Sequence, residues 1–290
     1  MKNRVRIIAP SGALETYEES VAKLQAMQKF LESNGFVVSV QEDIFSNPSL
    51  PFCANTDEKR LSGLHAAILS PDVDIIWAFR GGYGSGRIAK DCMNIHPVGD
   101  KILIGASDIT ALHALFNQHY RLPSIHGPVL STLVDKMPGT IEYIKYILDG
   151  NRQHIIVTPL NGPAKLQKVA GILIGGNLTV FCTLLSTKLH PATQGKILLF
   201  EDVAEPGYKI DRMLDQLDQA GVFENVIACI FGDFTGGDAK TEHAIRNFAE
   251  THPALPIFRT DGVGHGDVNH PLVMGAAVVI ADNTLECSSI

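Results

Sequence analysis

Ser107, Glu201 and His265 are far apart in the sequence, yet each has the type and setting that acyl-transfer chemistry needs. Ser107 stands in Ile104-Gly105-Ala106-Ser107-Asp108-Ile109, where a buried strand is expected to run in and an amphipathic helix to run out. Such a strand-to-helix turn exposes a hydroxyl at the carboxyl end of a sheet, and the helix start brings backbone N–H groups to the oxygen. Gly105 and Ala106 are small enough for a sharp turn. A plainer reading stays open, in which Ser107 only caps the helix and Asp108 fills its first turn. The full G-x-S-x-G signature is absent, because Ile109 stands at the second glycine position.

A second segment, Arg80-Gly81-Gly82-Tyr83-Gly84-Ser85-Gly86-Arg87, follows the expected strand Asp74–Phe79. Glycines let backbone approach a ligand closely, so this loop can donate an oxyanion N–H. It also matches a dinucleotide fingerprint through Gly84-Ser85-Gly86-Arg87-Ile88-Ala89, with Asp108 as the ribose-binding acid of an NAD-dependent oxidoreductase. That fingerprint belongs after the first strand of its unit, and the first strand here ends in Ala9-Pro10-Ser11-Gly12.

Glu201 closes the apolar run Leu198-Leu199-Phe200, where a carboxylate is held firmly enough to orient an imidazole. Its plainer reading is an ion pair with Lys209 or Arg212. His265 lies between two glycines in Gly262-Val263-Gly264-His265-Gly266-Asp267, on a loop with little steric cover. A metal set of His265, Asp267 and His270 is the alternative, but glycine and proline flanks offer no helix face to gather ligands. Nucleophile, acid, base is also the chain order of α/β-hydrolases. Ser107 falls in the first half and its partners in the second, which places the site in a cleft between domains.

The elements that must position these residues follow from periodicity. Short apolar runs at 5–9, 36–40, 74–79 and 101–105 alternate with helical patterns at 21–31, 57–69 and 109–120. This predicts a parallel α/β sheet with buried strands. A helix is expected near 139–148 and a Pro/Gly/Asn-rich linker over 151–168. Strands at 169–174, 197–201, 226–231, 272–280 and 285–288, with helices near 211–220 and 241–251, make a second, mixed β/α domain. The expected division is 1–150, linker 151–168, and 169–290.

The 290 residues are 45% hydrophobic and 19% charged, enough to build a full core. Net charge is −7 with no dense Lys/Arg run, which argues against nucleic acid as partner. The opening apolar run is too short for a signal peptide, and no stretch reaches the ~18 apolar residues of a membrane span. Five scattered cysteines (Cys53, Cys92, Cys182, Cys229, Cys287) fit isolated thiols in a reducing compartment. A cytoplasmic location is expected.

Taken in order, these segments resemble the LD-carboxypeptidase family of serine peptidases, which includes microcin C immunity peptidases. The resemblance rests on Ile8-Ala9-Pro10-Ser11-Gly12, Arg80-Gly81-Gly82-Tyr83-Gly84, Gly105-Ala106-Ser107-Asp108-Ile109-Thr110 and His126-Gly127-Pro128. It continues through Gly175-Gly176-Asn177-Leu178, Glu201-Asp202 with Asp211-Arg212-Met213-Leu214, and Gly264-His265. It implies a flavodoxin-like N-terminal parallel-sheet domain with a smaller C-terminal mixed β/α domain. It implies Ser107 as nucleophile, Glu201 as acid and His265 as base. The oxyanion hole would be the Asp108 N–H with one from Gly81 or Gly82. It implies no metal, no cofactor and a homodimer. The implied substrate is cytoplasmic murein tetrapeptide, losing its terminal D-alanine during peptidoglycan recycling. Immunity members instead cleave a toxic aminoacyl-nucleotide. Arg80 and Arg87 are candidates for the substrate's free carboxylate, since guanidinium pairs carboxylate bidentately. Ala106 replaces a residue that is often larger in the family, and Glu205 lies close enough to Glu201 to compete for the acid's place.

Overall fold

The computed structural model describes residues 2–46, 50–136, 139–162 and 168–290. Two sheets organise the chain. The first contains β1 (Arg4–Ile8), β2 (Val37–Val40), β3 (Ile75–Ala78), β4 (Ile102–Gly105) and β5 (Ser124–His126), all parallel, in the order β5-β4-β3-β1-β2. This is the flavodoxin-like order. β3 and β4 are buried along their whole length, as strands covered on both faces must be.

Alternate residues feed two cores. Ile75 and Trp77 face α1 (Tyr17–Ser33), whose Leu24, Met27 and Leu31 pack there. Ile76 and Ala78 face α2 (Asp57–Leu69) through Leu64 and Ile68. A capping box opens α1: the Thr16 side chain accepts from Glu19 N–H, and Glu19 accepts from Thr16 N–H. Thr56 caps α2 in the same way through the Lys59 N–H.

The second sheet has eight strands. At its centre β8 (Val169–Asn177), β9 (Lys196–Val203), β10 (Ala228–Thr235) and β11 (Ile257–Arg259) run parallel. Antiparallel strands flank them: β13 (Ala277–Ala281), β14 (Thr284–Cys287) and β6 (Gln153–Ile156) on one side, β7 (Thr158–Pro159) on the other.

The strands depart from expectation in two places. Residues 151–168, expected as a linker, supply β6 and β7 to the second sheet; 163–167 lie outside the described residues. The single strand expected over 272–280 is two strands in different sheets. β12 (Leu272–Met274) returns to the first sheet antiparallel to β5, and the chain then turns at Gly275 before β13. Both halves are apolar because both are buried, so periodicity had nothing to separate them. Two short strands, β5 and β11, had no sequence signal of their own. All five cysteines are buried and unpaired. No described helix is long and apolar enough to cross a membrane.

Candidate active site

The structure joins Glu201 directly to His265, and through His126 joins Glu201 to the strand that leads into Ser107. Ser107 stands two residues after the end of β4 and has φ 63°, in the left-handed region. A non-glycine residue there is strained, and such strain persists only where surrounding structure enforces it. The turn it opens has Ala106, not Ser107, at the capping position, and carries no side-chain cap. The capping reading of Ser107 therefore fails. The helix proper follows as α3 (Thr110–Ala114) and widens into π turns over Leu115–Tyr120.

The glycine loop lies against this turn. Gly81 O accepts from Gly12 N–H at 2.9 Å, which orients the peptide whose N–H belongs to Gly82. The loop leads into a five-residue helix, Ser85–Ala89. The Asp108 carboxylate accepts from Ser85 N–H at 2.8 Å and from the Ser11 hydroxyl at 2.6 Å. Thus the position that a dinucleotide phosphate would take at this helix start is held by the chain's own carboxylate, and Asp108 is committed to tying three loops together.

Glu201 is fully buried on β9, opposite Asn177 of β8. Its Oε2 lies 2.6 Å from His265 Nδ1. Gly264 allows this approach: it has φ 141°, and a β-carbon there would stand 3.0 Å from Glu201 Oε2. The loop is held down by Asp233 N–H to Val263 O at 2.7 Å and Gly262 N–H to Asp233 Oδ1 at 3.1 Å. Burial alone would raise the Glu201 carboxyl. The charge of His265 and the hydrogen bond from His126 outweigh that and hold it at about 2, below the ordinary 4.5. Glu205, the competing acid, pairs instead with Lys209 at 3.1 Å.

The candidate carboxylate binders differ. Arg87 places Nε and Nη2 on Asp57 Oδ2 at 2.9 and 2.6 Å. Arg80, next to Gly81, donates to Ala13 O.

His126 was quoted in the sequence only as part of a matching stretch and given no role. It is fully buried on β5, and its Nε2 lies 3.4 Å from Glu201 Oε1. His113 is the second buried histidine. Its Nε2 bonds Gly105 O at 2.9 Å and its Nδ1 the Ser124 hydroxyl at 2.8 Å. Burial, then His126 nearby, holds His113 down at about 3. A buried histidine on a three-residue strand leaves no periodic trace, so the contact of His126 with Glu201 was not readable beforehand.

Comparisons with known proteins agree with this architecture. Residues 5–127 match the LD-carboxypeptidase N-terminal domain, and residues 170–280 the LD-carboxypeptidase C-terminal domain. Murein tetrapeptide carboxypeptidase of Pseudomonas aeruginosa is 33% identical, covering 97% of this chain and 94% of its own. A probable murein peptide carboxypeptidase of Bacillus subtilis is also 33% identical, covering 99% and 90%. Among solved structures, an MccF-like protein from Bacillus anthracis superposes with a TM-score of 0.84 at 21% identity, covering 100% and 97%. Muramoyltetrapeptide carboxypeptidase from Oxalobacter formigenes gives 0.79 at 24% identity, covering 99% and 98%. The structural likenesses speak for the fold and the sequence matches for the lineage: this chain belongs to the LD-carboxypeptidase family of hydrolases.

Proposed function

We propose that this protein is a serine carboxypeptidase that releases the terminal D-alanine of murein tetrapeptide by hydrolysing its L,D-peptide bond. The observation that carries this reading is the 2.6 Å bond between buried Glu201 and His265; the left-handed turn at Ser107 supports it. In the reaction, His265 takes the proton from the Ser107 hydroxyl as Oγ attacks the scissile carbonyl. Glu201 holds the imidazole by Nδ1 and stabilises it once charged. The oxyanion is received by the Asp108 N–H and one from Gly81 or Gly82, each donor worth roughly 3–4 kcal/mol. His265 then protonates the leaving D-alanine amine, and water, deprotonated by the same imidazole, cleaves the acyl-enzyme. Arg80 is the better placed of the two arginines for the substrate's carboxylate, because Arg87 is already paired. We place the enzyme in the cytoplasm, in peptidoglycan recycling, and as a homodimer.

The test is Ser107→Ala. Wild type is expected to release D-alanine from a tetrapeptide ending in D-Ala, and the variant is not. Equal release by both would end the proposal.

A second reading, hydrolysis of an aminoacyl-nucleotide, draws on one observation. Trp77 is buried, with its Nε1–H on Pro128 O, but Phe52 and Tyr83 are about half exposed and pack edge to face at 5.4 Å on the glycine loop. They offer a surface for a nucleobase. Survival of cells expressing the protein in the presence of such a toxin, without D-alanine release in vitro, would favour this reading.

A further inference from the structure

We propose that His126 is a positioning residue: it grips the Glu201 carboxylate from the opposite sheet and so sets where the His265 imidazole stands relative to Ser107. The inference rests on the hydrolytic reading above, but its geometry is independent of the substrate.

The carboxylate has two oxygens, and the triad uses one. Oε2 faces His265 Nδ1; Oε1 faces His126 Nε2 at 3.4 Å, with both side chains fully buried. An ionised carboxylate only accepts hydrogen bonds, so the hydrogen of His126 must sit on Nε2. The other ring nitrogen agrees. Nδ1 is buried and has no hydrogen-bond partner among the described residues, so a hydrogen placed there would go unanswered. The separation is long for an N–H···O bond.

His126 is rigidly tied to the nucleophile's turn. It is the register partner of Gly105, two residues before Ser107. Gly105 O is itself clamped by Gly127 N–H at 3.1 Å and by His113 Nε2. On its other side His126 is paired with Leu272 of β12, which follows the His265 loop. The charged and titratable groups around this arrangement are Glu201 and His265, His113 at a ring separation of 5.9 Å, and Asp233 beneath the His265 loop. Ser107 belongs to one sheet and its partners to the other, so their spacing depends on contacts that cross between the two. His126 makes such a contact on the carboxylate itself, where a small rotation is passed directly to the imidazole.

The test compares wild type with His126→Gln and His126→Leu. Gln can present an amide N–H near the position of Nε2; Leu cannot. The Leu variant is expected to lose roughly tenfold to a hundredfold in kcat, as small misplacements of a catalytic group do, with KM little changed. Gln should recover most of that loss. Nitrogen NMR of wild type should show His126 protonated at Nε2 and a far-downfield His265 Nδ1–H. That downfield signal should weaken in the Leu variant and return in the Gln variant. A Leu variant within twofold of wild-type kcat overturns the proposal. So does a Gln variant no better than Leu when both melt like wild type, or a wild-type His126 protonated at Nδ1. If the Leu variant does not fold, the wild-type tautomer decides alone. If wild type releases no D-alanine, the hydrolytic reading fails, while the NMR arms still judge the positioning role.

Discussion

Gly81 lies directly against the Ser107 side chain: a β-carbon added to Gly81 would stand 2.8 Å from Ser107 Cβ and 3.1 Å from its Oγ. The glycine therefore leaves the hydroxyl its room. Gly81→Ala should push Ser107 off its attacking position and lower kcat/KM by about a hundredfold, the usual cost of a displacement near 1 Å. The melting temperature should change little by comparison. Activity and thermal melts on the same preparation check this, and an alanine variant with full activity would refute it.

The positive φ of Ser107 has a price in stability. An L-residue in the left-handed region costs roughly 1–2 kcal/mol, which glycine escapes. Ser107→Gly and Ser107→Ala should both be inactive, but the glycine variant should be the more stable by about 1 kcal/mol in denaturant melts. Equal stabilities would mean that the turn relaxes when the hydroxyl is gone.

Glu201 links the site to acid stability. Its folded-state value of about 2 lies below the ordinary 4.5, so the unfolded chain binds its proton first as pH falls. Its contribution is then complete above about 4.5 and is lost as pH drops toward about 2. Wild type should lose stability more steeply over that window than Glu201→Gln. At neutral pH the Gln variant should lose roughly a factor of 10⁴ in kcat, since an amide cannot hold the same imidazole tautomer and stabilise its charge. Denaturant melts across the acid range and kcat at neutral pH are the two measurements. Parallel stability curves would remove Glu201 from the account of acid sensitivity.

The two arginines should separate kinetically. Arg87 shares its charge with Asp57, whereas Arg80, the neighbour of Gly81 in the chain, donates to the backbone at Ala13 O. Arg80→Met is expected to raise KM for a tetrapeptide about tenfold or more, the cost of one charge-assisted hydrogen bond. Arg87→Met should leave KM within about threefold, because its partner is internal. The reverse ranking would transfer the carboxylate site to Arg87.

Much of this arrangement was legible beforehand. The strand into Ser107, the apolar run into Glu201 and the glycine frame around His265 each have local signatures, because buried strands and close-approach loops demand particular residues. Other parts were not. The run 272–280 reads as one strand, yet β12 and β13 lie in different sheets. His126 had no role assigned and the Asp108 side chain was read only as a first-turn or ribose-binding acid, yet one reaches Glu201 and the other joins Ser11 to Ser85.

The sequence by itself determined which side chains are equipped for the chemistry, the two-part α/β plan and the lineage, since these depend on residue type, order and local period. Only the tertiary structure decided that Glu201 rather than Glu205 meets His265, that Ser107 is held in a strained turn rather than capping a helix, and that Arg87 is engaged by Asp57. Each of these depends on a through-space contact between residues whose separation along the chain says nothing about their distance.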